Sequence, residues 1–160
     1  MRHDDTELTT VLSLNQGALD GVGPLDDDRL RWLLDMAQAS GQALVADDGA
    51  GGIAGFAMVF APDTAYDSTN YRWFVERFDS FGYLDRIVVS PGHRRRGVGT
   101  LLYDAAEEGA RGSGRLLCEV YVEPPNVASL AFHERRGYVD VGRVLQANGK
   151  TCVMLEKALR

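Results

Sequence analysis

Long apolar runs are missing from this 160-residue chain. A membrane-crossing helix needs roughly 18 or more consecutive apolar residues, and no stretch comes near that, so no membrane partner is expected. The first residues, MRHDDTELTT, lack the apolar core of a secretory signal, which makes a cytoplasmic location the expectation. Cysteine is scarce: Cys118 and Cys152 stand in apolar strand-like runs, without the spacing of metal ligands. They read as buried, reduced thiols, and no metal is expected. Basic charge is in short supply, with 17 Lys and Arg against 23 Asp and Glu and a formal net charge of −6. A general nucleic-acid binder needs a basic surface, so no nucleic-acid partner is expected and any anion must be met locally. No internal repeat and no Pro-, Gly- or Ser-rich linker divides the chain. Residues 1–160 therefore read as one domain, long enough to bury a core.

What is present is an alternation of elements. DDTELTTVLSLNQGAL, with Asp5 as N-cap, and PLDDDRLRWLLDMAQAS carry helical spacing and acid in their first turns. QALVADD and GGIAGFAMVFA are β-rich runs around a glycine turn, which predicts a hairpin. YLDRIVVS is a third strand. Residues 98 to 111 make a helix with Leu101, Leu102, Ala105, Ala106 and Ala110 on one face and Asp104, Glu107, Glu108 and Arg111 opposite. RLLCEVYVE, the helix NVASLAFHERR, and a strand pair around Asn148-Gly149 complete the order. The fold class is α+β, with strand–helix–strand crossovers in the second half, each right-handed.

One turn breaks the acidic pattern. In SPGHRRRGVGTLL, the side chains Arg94, Arg95 and Arg96 precede Gly97, Val98 and Gly99 at the mouth of a helix. Unpaired amides and the helix dipole make such a mouth favourable for anions. The glycines let a ligand approach the backbone, and guanidinium groups match phosphate oxygens. A pyrophosphate would fit. The pattern is not a P-loop, since no G-x-x-x-x-G-K-[ST] occurs, nor a dinucleotide fingerprint, whose third glycine would fall at Leu102.

The spacing of Arg94, Gly97 and Gly99, [Q/R]-x-x-G-x-[G/A], resembles the acyl-CoA-binding signature of the GNAT superfamily of N-acetyltransferases. A second motif is similar as well: NVASLAFHERRGY places Asn126, Ser129, Phe132, His133, Gly137 and Tyr138 in register with N-x-x-[AS]-x-x-[LF]-[Y/H]-x-x-x-G-[FY]. The resemblance is specific over residues 83 to 138, and the family's usual first strand would have to lie before Asp5, short or absent. It implies an α/β/α-like acyl-CoA N-acyltransferase fold, with a mixed, mostly antiparallel sheet and one splayed parallel strand pair. It also implies acetyl-CoA or coenzyme A as co-substrate. Backbone groups of Ile87, Val88 and Val89 would pair with the pantetheine amides. The amides of residues 95 to 100, Thr100 among them, would hold the pyrophosphate, and Asn126 would steady the pantetheine arm.

Acetyl transfer to an amine requires a base, an oxyanion donor and, for the departing thiolate, an acid. Along RLLCEVYVE, alternation puts Leu116, Cys118, Val120 and Val122 on one face and Glu119, Tyr121 and Glu123 on the other. Glu119, a carboxylate mid-strand in an apolar run, is the first candidate for base; a glutamate on a wet sheet face is the competing reading. Asp85 is the second candidate, against a salt bridge to an adjacent arginine or to Arg72. His133 stands where many members of the family carry a tyrosine acid, and Tyr121 is the alternative donor. Half of the chain's aromatic residues fall between 62 and 83. Tyr66, Tyr71, Trp73 and Phe74, with Asp67 to receive a cation, read as a wall over the pocket of an amine acceptor, small molecule or peptide. Core packing or a homodimer contact is the other reading of that segment. The competing function is a CoA-binding sensor without efficient chemistry.

Overall fold

The computed structural model describes residues 4–160. Helix α1 (Asp5–Gln16) is capped by Asp4, whose carboxylate accepts from the Thr6 amide at 3.1 Å. The cap expected at Asp5 thus falls one residue earlier, and Asp5 occupies the first turn, where the dipole favours acid. A strand ahead of Asp5 would fall largely on residues outside the described ones. Helix α2 (Asp27–Ser40) starts on Asp26, which accepts from Arg29 N at 2.7 Å, and buries Leu30, Leu33, Leu34 and Ala37. Then come β1 (Gln42–Asp47), β2 (Ile53–Phe60), α3 (Thr69–Val75) and β3 (Gly82–Val89), with a 3-10 turn at Pro91–His93. The chain closes with α4 (Val98–Ala110), a 3-10 turn at Arg111–Ser113, β4 (Arg115–Glu123), α5 (Val127–Arg136), β5 (Val139–Leu145) and β6 (Thr151–Ala158).

The six strands form one sheet in the order β1-β2-β3-β4-β6-β5. Every neighbouring pair is antiparallel except β3 and β4, which are parallel and paired only at Gly82–Leu116 and Tyr83–Leu117. Beyond those two rungs the strands part. Against β2, the register skips Asp85, between Val59–Leu84 and Met58–Arg86. One extra residue of this kind bends and twists a strand, and it turns β3 away from β4 at the level where the cleft begins.

The sheet separates two apolar layers. Leu8, Val11, Leu30, Leu33, Tyr71 and Phe74 from α1 to α3 pack on Phe56, Met58, Tyr83 and Leu117. Leu102, Tyr103, Ala106 and Ala110 of α4 pack on Ala57, Val59, Leu116 and Cys118 on the other side, with Leu130 and Phe132 of α5 beside them. The buried face of α4 differs from the expected one. Leu101 is 60% exposed, whereas Tyr103 and Glu107 are buried. The helix is rotated so that Tyr103 reaches α5 and Glu107 meets Arg136, Lys157 and Tyr138. A pattern that counts only aliphatic residues cannot register those polar partners.

Candidate active site

Where β3 and β4 part, a cleft of about 560 Å³ opens between the two helical layers. Its far end is the arginine–glycine turn. Gly97 caps α4 in the left-handed region at φ 81°, and no side chain caps the helix. The first helical bond runs from Leu101 N to Gly97 O at 2.9 Å, so the amides of Val98, Gly99 and Thr100 lie ahead of it. Arg95 also takes a positive φ, 62°. All three arginines are exposed, and among the described residues none joins an ion pair. In an acidic chain, these are three exposed cations without carboxylate partners among the described residues.

The sequence-nominated residues divide as follows. Ile87, Val88, Val89, Arg94 and Gly99 line one stretch of the cleft, and Asn126, Ser129, Phe132 and His133 line the opposite wall. Arg95, Arg96, Gly97, Val98 and Thr100 sit on the turn just outside that lining. Asn126 caps α5 through a 3.3 Å bond from Ser129 N to its side-chain oxygen, which leaves the amide nitrogen available to a ligand.

Glu119, Asp85, Tyr121 and Tyr66 line the same cleft. Glu119 is not a glutamate on a wet face. It is open only toward the cleft, and its oxygens accept from Tyr83 Oη at 2.8 and 2.9 Å and from Asn70 Nδ2 at 3.2 Å. Burial, followed by the neighbouring charge of Asp85, raises its pKa to about 8; the bonds from Tyr83 and Asn70 and the charge of Arg86 only partly offset this. Asp85 is committed elsewhere. One of its oxygens accepts from Tyr66 Oη at 2.6 Å and the other from Arg86 Nε at 2.7 Å. Arg86 is itself buried and donates on to Asn15 and the Gly23 carbonyl. Asp85 therefore forms the salt bridge that competed with its role as base. Tyr121 is half-buried, and its hydroxyl accepts from Asn148 Nδ2 at 3.3 Å.

His133 is buried, with both ring nitrogens engaged. Nδ1 lies 2.6 Å from the Ser129 carbonyl, which can only accept, so Nδ1 carries the proton; Nε2 then accepts from Tyr103 Oη at 2.5 Å. Burial lowers its pKa and favours this neutral form, despite the bond to the carbonyl. The neutral ring has no N–H left for a sulfur atom, so the expectation of His133 as a direct neutral donor gives way.

The aromatic segment is also placed differently. Tyr71 and Phe74 are 2% and 0% exposed and belong to the core, packed at a tilt on Tyr83. Trp73 lies against Gly142, where a Cβ would meet its ring at 2.6 Å. Asp67 pairs with Arg29 at 2.5 Å, at the surface. Burying rings of that size is worth more than exposing them over a pocket. Only Tyr66 of the nominated set reaches the cleft, joined by Asn70 from the same segment.

Tyr83, Asn70, Tyr103, Arg86 and Gln146 were not nominated. Gln146 and Asn70 bond reciprocally at 3.0 and 3.1 Å, beside Glu119. The only sequence signal for Tyr83 and Arg86 is their place on the strand that flanks the turn.

A family model described as the Acetyltransferase (GNAT) family matches residues 8–138. The chain belongs to the GNAT acetyltransferase family. No curated protein matches the chain in sequence. Among solved structures, Ard1 from Thermoplasma volcanium is similar over 100% of this chain and 96% of its own, at a TM-score of 0.75 and 15% identity. YncA from Salmonella typhimurium, a putative acetyltransferase solved with acetyl-CoA, covers 100% and 92% at a TM-score of 0.74 and 17% identity. The ribosomal-protein-alanine N-acetyltransferase of Brucella melitensis covers 99% and 98% at a TM-score of 0.72 and 20% identity. At these identities the likeness establishes the acyltransferase fold. No helix among the described residues is long and apolar enough to cross a membrane.

Proposed function

We propose that the protein is an acetyl-CoA-dependent N-acetyltransferase that moves the acetyl group directly from the thioester to a primary amine. The observation that carries this reading is the cleft itself. One end is an uncapped helix mouth with three unpaired arginines, and the other holds a half-buried carboxylate with its pKa raised to about 8. The unsatisfied strand edges of β3 and β4 lie between them. The turn residues Arg94 to Thr100 would hold the diphosphate, and residues 87–89 would pair with the pantetheine amides as an added strand.

An amine has an ordinary pKa of roughly 10 and must lose a proton before it attacks. Glu119, raised toward that value, is matched to take it. Tyr83 and Asn70 hold the carboxylate in place. Main-chain amides on the parted strand edges supply the donors for the oxyanion. Asp85, Arg86 and Tyr66 form the wall of the acceptor end, with Asn70 and Gln146 opposite.

The test is thiol release from acetyl-CoA across a panel of primary amines, with calorimetry of CoA binding alongside. Turnover with at least one amine is expected, together with thermal stabilisation by CoA. Stabilisation without turnover on any amine would favour a CoA sensor, and no binding at all would overturn both.

A further inference from the structure

The family resemblance implies that His133 stands near the thioester sulfur, and the structure places a tyrosine from another helix against it. Tyr103 of α4 and His133 of α5 both line the cleft and bond to each other at 2.5 Å. Nothing can reach Nε2 along its lone pair without displacing the tyrosine. We infer that Tyr103 is the group that meets the thioester sulfur, and that it works with His133 as a two-proton relay. The inference rests on the acetyl-transfer reading above.

The direction of the hydrogen bonds carries the argument. The Ser129 carbonyl obliges Nδ1 to donate, so in the neutral ring Nε2 must accept. The Tyr103 hydrogen therefore points inward, and only oxygen lone pairs face the cleft. One added proton on Nε2 reverses the chain: Nε2–H donates to Oη, and the hydroxyl hydrogen turns outward. In the transfer step the amine nitrogen bonds to the acetyl carbon, the C–S bond breaks, and its electron pair stays on sulfur. The Tyr103 proton moves to sulfur while the Nε2 proton moves to Oη. The products are a free thiol and the neutral pair in the arrangement the structure displays. Glu119 passes the ammonium proton to cleft water before attack and takes the second proton from the nitrogen as the C–N bond forms; water returns one proton to the pair, so one proton is released overall.

The surroundings of the pair include several charged and titratable groups. Arg136 of α5 lies 5.4 Å from the Tyr103 ring centroid, and Glu107 of α4 neutralises it through bonds at 2.9 and 3.1 Å. Tyr138 packs edge-on against both rings. Cys118 of β4 packs against Tyr103, and Glu119, on the opposite face of β4, lines the same cleft.

Kinetics at pH 6 and pH 9 test the relay. Tyr103→Phe and His133→Gln are each expected to lower kcat about 10- to 100-fold at pH 6. KM for acetyl-CoA stays within about twofold, and the double variant loses no more than either single one. The deficit shrinks at pH 9, where the protonated fraction of His133, already the minor one, is smaller still. Wild-type kcat in Tyr103→Phe, losses that multiply in the double variant, or a deficit equal at both pH values each overturn the relay. Nitrogen NMR of the His133 ring in the wild type needs neither turnover nor a variant. The expected result is a neutral Nδ1–H ring whose signals shift with CoA but not with desulfo-CoA. Identical shifts with the two ligands sink the relay and leave acetyl transfer standing. Binding of neither removes the acetyl-transfer reading, and the relay with it.

Discussion

Tyr83→Phe removes one hydroxyl from a fully buried ring and leaves the packing against Tyr71 and Phe74 in place. That hydroxyl donates to both oxygens of Glu119 and favours the ionised carboxylate, against the burial that lifts it to about 8. A hydrogen bond to a charged group contributes about 1.5–3 kcal/mol. Cleft water can replace part of it, so the lower figure applies. At about 1.4 kcal/mol per pKa unit, Glu119 should rise by about one unit. At pH 7 the wild-type carboxylate is ionised in roughly one molecule in ten, and in the variant roughly one in a hundred. If Glu119 is the base, kcat/KM at pH 7 falls about tenfold, and the deficit closes as pH is raised past the shifted value. Initial rates of thiol release between pH 6 and 10 measure this, with a melting curve to verify folding. A rate loss that is the same at every pH, or an alkaline limb that stays where it was, would refute the assignment of Glu119 as base.

Glu119→Gln should lose about 100-fold in turnover yet melt at a higher temperature. Its carboxyl is raised above the ordinary 4.5, so the stability it contributes is full below that value and lost as pH climbs through about 8. The advantage of the variant in melting temperature should therefore open above pH 4.5, widen to about pH 8 and then stay level; a constant difference contradicts the reasoning. Glu107 works in the opposite sense. Burial pushes it up, but the bonds from Arg136, Lys157 and Tyr138 prevail and hold it below its ordinary value. Its contribution is present above pH 4.5 and lost as pH falls through the depressed pKa. Glu107→Ala should cost about 3 kcal/mol near pH 7 in denaturant unfolding, with the gap narrowing in acid. At the turn, Arg94→Ala should raise KM for acetyl-CoA about tenfold, through the loss of one charge-assisted bond. Wild-type KM should climb with salt more steeply than that of the variant, and an unchanged KM would take Arg94 out of the site.

The sequence by itself determined the parts that depend on local chemistry. Helix caps, a glycine-mediated turn and strand alternation are decided within a few residues. The order of the strands, the arginine–glycine helix mouth at Arg94–Thr100 and the cleft-facing side of Glu119 were therefore legible. Asn126 and His133 were legible too, because a motif fixes their place on one helix. Only the tertiary structure decided what each polar group meets. Tyr83 and Glu119 are 36 residues apart, Asn70 and Glu119 49, and Tyr103 and His133 30. No local pattern records such pairings, since they follow from how β3 diverges from β4 and how α4 is rotated on the sheet. The aromatic segment makes the same point. Its composition suited a pocket wall and a core equally well, and the unpacked face of the sheet beneath it decided for the core, because large rings gain more from close packing there than from the solvent edge of a cleft.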